Sequence, residues 1–162
     1  MQATAATPQA STETVARDLF GLTTYLLQQT SPALFSALEA AGVSMSQMKL
    51  LYALEVAEEE LSVKALSNLM GCSLPGASRG VEGLLQRGMV ERREDQEDRR
   101  IKRVQIAPAG RDVIRHANAI RLEALQQLLA DLSDTERSHL AAALAPILAR
   151  DEVAACRPKG TE

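Results

Sequence analysis

Arginines carry the chemistry available in this sequence. A guanidinium holds phosphate or carboxylate oxygens through a fixed fork of donors, and it can bond a guanine edge at two acceptors. Between Ser73 and Arg115 stand ten Arg or Lys, among them Arg79, Arg92, Arg93, Arg99 and Arg100, against seven Asp or Glu, a net of +3. The whole chain has a formal net charge of −3, so the other residues carry −6. A basic segment on an acidic body suits a protein that meets phosphate on one face only. Enzymatic chemistry has no comparable support. No nucleophile with its base, phosphate-cradling glycine loop or ligand cluster is visible, so neither a catalytic residue nor a cofactor is expected. His116 and His139 lack acidic or cysteine neighbours at ligand spacing, so no metal site is expected.

The elements that must position these arginines are legible from Ser62 onward. Ser62 can cap a helix to Met70 with Leu66 and Leu69 facing inward, and Gly71 lies in a turn. Ser73 can cap a second helix whose first turn tolerates Pro75, because the missing N–H would have had no partner there. Val81, Leu84 and Leu85 recur at helical spacing, and Gly88 is placed to stop the helix. Met89 to Arg93 and Ile101 to Ile106 then read as two strands, with Lys102, Val104 and Ile106 on one face and Ile101, Arg103 and Gln105 on the other. Glu94 to Arg99 makes the hairpin tip. The expected fold class is mainly α with a small β-hairpin wing, a winged helix-turn-helix.

At this point the sequence resembles the MarR family of bacterial transcription regulators. The resemblance rests on LSVKALSNLMGCS, on LLQRGMVERRED and above all on DQEDRRIKRVQIAPAGR, and it covers roughly Phe20 to Leu148. It implies a partner, double-stranded DNA. The helix from Ser73 to Arg87 would enter the major groove, with Ser73, Pro75, Ala77, Ser78 and Arg79 near bases and phosphates and the positive end of the helix dipole toward the backbone. Arg79 is the candidate for a base contact; the alternatives are a phosphate contact or a pair with Glu82. By family analogy Arg99 enters the minor groove and Asp98 steadies it, which sets affinity more than specificity. The bland alternative is a solvated hairpin tip. Arg100, Arg92 and Arg93 are candidate phosphate contacts, although strand alternation must point some of them away. Two departures stand out. Gly76, Gly80 and Gly83 lie inside the recognition helix, each costing about 1 kcal/mol relative to alanine, which suggests a pliable helix. Ala107 stands where the family often has a capping threonine.

Around this lobe, residues 44–110, the chain supplies long helices. Residues 1–11 read as a disordered arm and 151–162 as a loose tail. Residues 12–43 and 111–150 carry apolar stripes: Val15, Leu19, Leu22, Leu26 and Leu27 in the first, Val113, Ala117, Ile120, Ala124 and Leu128 in the second. Ser31 and Pro32 either restart a helix or kink a continuous one. Ser44 with Gln47 and Ser133 with Glu136 have capping-box spacing, and Pro146 is expected to bend the last helix. These helices hold more apolar surface than one small lobe can cover. The resemblance implies that they interlace with a second copy, making a homodimer whose recognition helices sit about 34 Å apart on a roughly palindromic site.

All four aromatics, Phe20, Tyr25, Phe35 and Tyr52, precede residue 61. The family often binds small aromatic effectors beside the dimerisation helices, and Phe20, Tyr25, Met48 and Tyr52 are the candidate lining, unless they are simply core. Cys72 next to the recognition helix is a redox candidate or a packing residue. Two cysteines without a motif suggest a reducing, cytoplasmic setting. The longest apolar run, Leu140 to Ala149, is far short of the roughly 20 residues of a membrane span, and no signal segment is visible. The reading is therefore a DNA-binding repressor released by a small molecule. The alternatives are redox sensing through Cys72 and a winged-helix module that meets protein.

Overall fold

Helix ends in this chain are set by side chains that satisfy free backbone groups. The computed structural model describes residues 11–57, 59–95 and 101–156. Its elements run α1 (Thr12–Ala40), α2 (Met45–Ala57), β1 (Leu61–Ser62), α3 (Val63–Met70), α4 (Leu74–Gln86), β2 (Val90–Glu94), β3 (Lys102–Ile106), α5 (Pro108–Ala130), α6 (Asp134–Leu148) and α7 (Asp151–Ala154). Ser11, Ser62, Ser73 and Ser133 each cap a helix by accepting from the N–H three residues on. Ser44 and Gln47 form the expected box, with Gln47 N–H donating to Ser44 Oγ at 3.2 Å and Ser44 N–H to Gln47 Oε1 at 3.0 Å. Ala107 precedes α5 with no side-chain cap, as the missing hydroxyl requires.

Of the two readings of Ser31 and Pro32, the structure has the continuous helix, since α1 runs through Pro32. Four other expectations change. Leu69, expected inward, is 65% exposed. The reason is geometric: Leu66 and Ser67 take the inward face of this two-turn helix, with Val63 and Met70 packed beside them, and Leu69 falls on the side away from Ser67. The stretch before Ser62 contributes β1, a two-residue strand that no periodicity announces, paired antiparallel to β3. Pro146 falls in the last turn of α6, two residues before its end, rather than mid-helix. Asp151–Ala154, placed in the loose tail, form a turn of helix. The arm, apart from Ser11, and residues 157–162 lie outside the described residues.

One side chain from each of four elements meets in the interior. Leu51 of α2, Leu66 of α3, Leu84 of α4 and Val104 of β3 have no exposed surface, and each contributes about 1.5–3 kcal/mol by leaving water. The sheet, in order β1-β3-β2, lays Val90 beside Ile106 and Arg92 beside Val104. Val104 and Ile106 point inward from β3, while Gln105 points to solvent. This fixes the wing against the helices.

Two of the glycines of α4, Gly80 and Gly83, lie where it packs on α2. A Cβ on Gly80 would lie 2.5 Å from Leu50 Cδ1, and one on Gly83 would lie 2.5 Å from Gln47 Nε2, so these side chains of α2 occupy the space the glycines leave. Gln47 Nε2 also donates to the Gly80 carbonyl at 3.4 Å. Gly110 is tighter still. A Cβ there would run into the Met89 carbonyl oxygen, which already accepts from Ala107 N–H at 3.0 Å.

Gly110→Ala should destabilise the fold by about 1–3 kcal/mol, because backbone rather than a flexible side chain must move; a urea melt measures it, and an unchanged midpoint would contradict this packing. At α6, Ser133 donates from its hydroxyl and its backbone N–H to Glu136, which holds that carboxyl below its usual range. A depressed folded pKa means that the cap is at full strength above the ordinary glutamate value of about 4.3 and is lost as pH falls through the folded value. Amide exchange at the start of α6 should accelerate on acidification in the wild type and not in Glu136→Gln.

Candidate nucleic-acid interface

Two left-handed glycines set the geometry of the exposed basic edge. After α3, Gly71 takes φ +61°, its N–H donating to Asn68 O and the Cys72 N–H to Ser67 O. A residue with a Cβ is strained in that conformation. The chain thereby turns sharply and Ser73 caps α4, accepting from Gly76 N–H at 3.2 Å. At the far end, Gly88 takes φ +66° and the Met89 N–H donates to Leu84 O at 3.0 Å, sending the chain into β2. α4 is held between the two, with its first turn in solvent.

That first turn presents Ser73, Leu74, Pro75, Ser78 and Arg79, all exposed. Ala77, expected among them, is 1% exposed and belongs to the core. It lies four residues before Val81 and seven before Leu84, on the inward stripe, where its small side chain allows close helix packing. Arg79 does not pair with Glu82. Among the described residues, Lys64 of α3 and Arg79 of α4 make no side-chain hydrogen bond or ion pair, so both charges face solvent free.

The arginines of the wing are largely committed. Arg92 donates to Glu82 of α4 at 3.0 Å, tying the wing to the recognition helix. Arg93, on the opposite face of β2, donates from Nε to Glu60 at 2.5 Å, and that hydrogen bond holds its guanidinium above its ordinary pKa. Lys102 pairs with Glu94, and Arg103 pairs with Asp95, both at 2.6 Å. Arg111 of α5 reaches Glu55 at 3.2 Å. Exposed pairs of this kind add little stability, typically about 0–1 kcal/mol, but they orient the strands. Arg92 and Arg93, expected to face phosphate, are thus turned toward acids of the protein itself. Residues 30 or more apart in sequence, such as Glu60 and Arg93, give no local signal of this. Asp98, Arg99 and Arg100 lie outside the described residues.

The aromatic candidates do not gather at one place. Phe20 is 72% exposed on α1. Tyr25 lines a groove of about 210 Å³ between α1 and α5 with Leu26, Gln29, Ala124, Leu128 and others, none of them Met48 or Tyr52. Met48, a candidate for pocket lining or for the core, is buried in the core. Tyr52 donates its hydroxyl proton to Asn118 Oδ1 at 2.8 Å and accepts from Arg121 Nη1 at 2.7 Å, with that guanidinium 5.7 Å from its ring centre. Tyr52 therefore links α2 to α5. Cys72 and Cys156 are free and exposed. Among the described residues no His, Cys, Asp or Glu cluster suits a metal, and no helix is long and apolar enough to cross a membrane.

A two-helix turn with its second helix exposed at the N-terminus, flanked by an antiparallel hairpin, defines a winged helix-turn-helix protein. The profile of the MarR family matches residues 41–101. The transcriptional repressor MprA of Escherichia coli K12 is 32% identical over 114 residues, 70% of this chain, and the match spans 65% of that relative's length. YdgJ of Bacillus subtilis, an uncharacterized HTH-type transcriptional regulator, is 31% identical over 122 residues, covering 75% of this chain and 74% of its own. A point mutant of S. aureus MepR bound to an oligodeoxyribonucleotide superposes with a TM-score of 0.64 at 20% identity, over 82% of this chain and 95% of that one. The chain belongs to the MarR family of transcriptional regulators.

Proposed function

We propose that the protein is a homodimeric repressor that reads a roughly palindromic duplex, α4 in the major groove and the wing in the minor groove, and leaves it when a small molecule binds. The observation that carries the reading is the free first turn of α4, where Ser73, Ser78 and an unpaired Arg79 stand exposed at the positive end of the helix dipole. The DNA-bound relative with the same fold supports it. Dimerisation is supported by apolar surface that the single chain leaves in water. Val15, Leu19, Phe20, Leu22, Leu27 and Phe35 of α1 are exposed, and α6 buries none of its residues. Contiguous apolar surface on helices of this length marks an interaction site. The link from Tyr52 to Asn118 and Arg121 joins the DNA-reading lobe to α5, which gives an occupant near Tyr25 or Tyr52 a route to the spacing of the two reading heads. In this proposal Asp98 and Arg99 form the minor-groove tip and Arg100 meets phosphate. Cytoplasmic location follows from the role.

Sedimentation should give a dimer, and Phe20→Glu should shift it toward monomer; a wild-type monomer at micromolar concentration would remove the palindrome. Duplex binding should weaken steeply with salt. Arg79→Ala should cost about 1–3 kcal/mol and relax base preference, whereas Arg99→Ala should weaken all duplexes alike. Equal losses on every duplex for both variants would refute this division of roles, and salt-independent or absent binding would favour a module that meets protein.

A further inference from the structure

The first residue of α4 is a leucine, and it is half in water. Leu74 is 50% exposed on a turn otherwise made of Ser73, Pro75, Ser78 and Arg79. It does not stand alone. Leu74 lines a groove of about 280 Å³ with Ser62, Val63, Lys64, Ile101 and Lys102, between the start of α3, the start of α4 and the start of β3 on the wing. Ile101, across this groove, is itself 39% exposed. The floor is apolar and two ammonium groups flank it. Lys64 is free, while Lys102 is shared with Glu94.

The occupant that matches this mixture is a nucleic-acid strand, with its phosphates between the lysines and its apolar edges on the floor. Position reinforces the charge argument. The groove is continuous with the first turn of α4 on one side and with the wing on the other, so a strand that passes from one to the other must cross it. In the major groove the apolar feature that a base offers is the 5-methyl of thymine; the other base edges are hydrogen-bonding groups. A leucine cannot bond those groups and would leave them desolvated and unpaired.

We propose that Leu74 is a specificity residue that selects thymine by packing on its methyl group, and that Lys64 holds the phosphate of the same strand as it crosses toward the wing. The proposal rests on the DNA-reading function above and adds a named base to it.

The test uses the full-length protein and duplexes that it selects from a random library. Each thymine of the selected site is replaced in turn by deoxyuridine, which removes the methyl and nothing else. At one symmetry-related pair of positions, uridine should lower wild-type affinity about four-fold, the scale of one buried methyl. Leu74→Ala should bind more weakly and be indifferent to uridine there; its exposure makes misfolding a minor risk, which a thermal melt checks. Lys64→Gln should reduce the slope of log affinity against log salt by about one per subunit and leave the selected sequence unchanged. Tolerance of uridine at every position, a selected site without thymine, or equal uridine sensitivity in Leu74→Ala would each overturn the assignment while DNA binding stood. A protein that bound no duplex in a salt-dependent manner would overturn both.

Discussion

Leu51, Leu66, Leu84 and Val104 come from four different elements and are all completely removed from water. That shared burial is the constraint from which the rest follows. Because Leu84 is pinned to this centre, with Val81 and Ala77 continuing the same stripe, the opposite face of α4 has a fixed direction. Because Val104 is pinned to the same centre, the wing stands at a fixed angle to that helix. Neither the recognition turn nor the hairpin is oriented by its own local structure. Both are held by an apolar junction that contacts no ligand. The glycines belong to the same constraint: Gly80 and Gly83 remove the Cβ atoms that would meet α2, and Gly110 does so where α5 crosses the Met89 carbonyl. An entropic cost in the unfolded chain is exchanged for closeness in the folded one.

The electrostatics of the exposed face are more sparing than the count of basic residues implies. Glu82, Glu60, Glu94 and Asp95 each take a cation of the wing or its approach. What remains free on the two helices is Arg79 and Lys64. A guanidinium already donating to a carboxylate has fewer donors to offer another anion, so local pairing narrows a broad basic stretch to a few free cations. It also makes the wing a braced arm, since Arg92 connects it to α4 and Arg93 connects it to the segment before β1.

The terminal helices follow a different rule. α1 and α5 pack on each other, while long apolar side chains of α1 stay exposed in the single chain and α6 buries none of its residues. The core between α2, α3, α4 and the sheet also takes in Leu34 and Leu38 of α1 and Ile114 and Ala117 of α5, and it uses none of that surface. Apolar surface left outside a core that is already filled marks an interaction site, and Tyr52 is a polar link from α2 to α5.

Local signals determined much of this protein. The serine caps, the stops at Gly71 and Gly88, the inward positions Leu66, Val81 and Leu84, and the alternation of β3 depend on neighbours within about four residues. The sequence carries those directly, and the family motif from Leu61 onward added the order of the elements. The tertiary structure decided what depends on distant neighbours. It turned Leu69 outward and Ala77 inward, added β1 as a pairing partner for β3, chose the core for Met48, and gave Arg92 and Arg93 to acids 10 and 33 residues away. It also set Leu50 and Gln47 of α2 against Gly80 and Gly83. The physical reason is the same in each case. A cap or a period is written by the backbone geometry of one segment, whereas burial, ion pairing and close approach belong to two surfaces, and only folding brings the second one near.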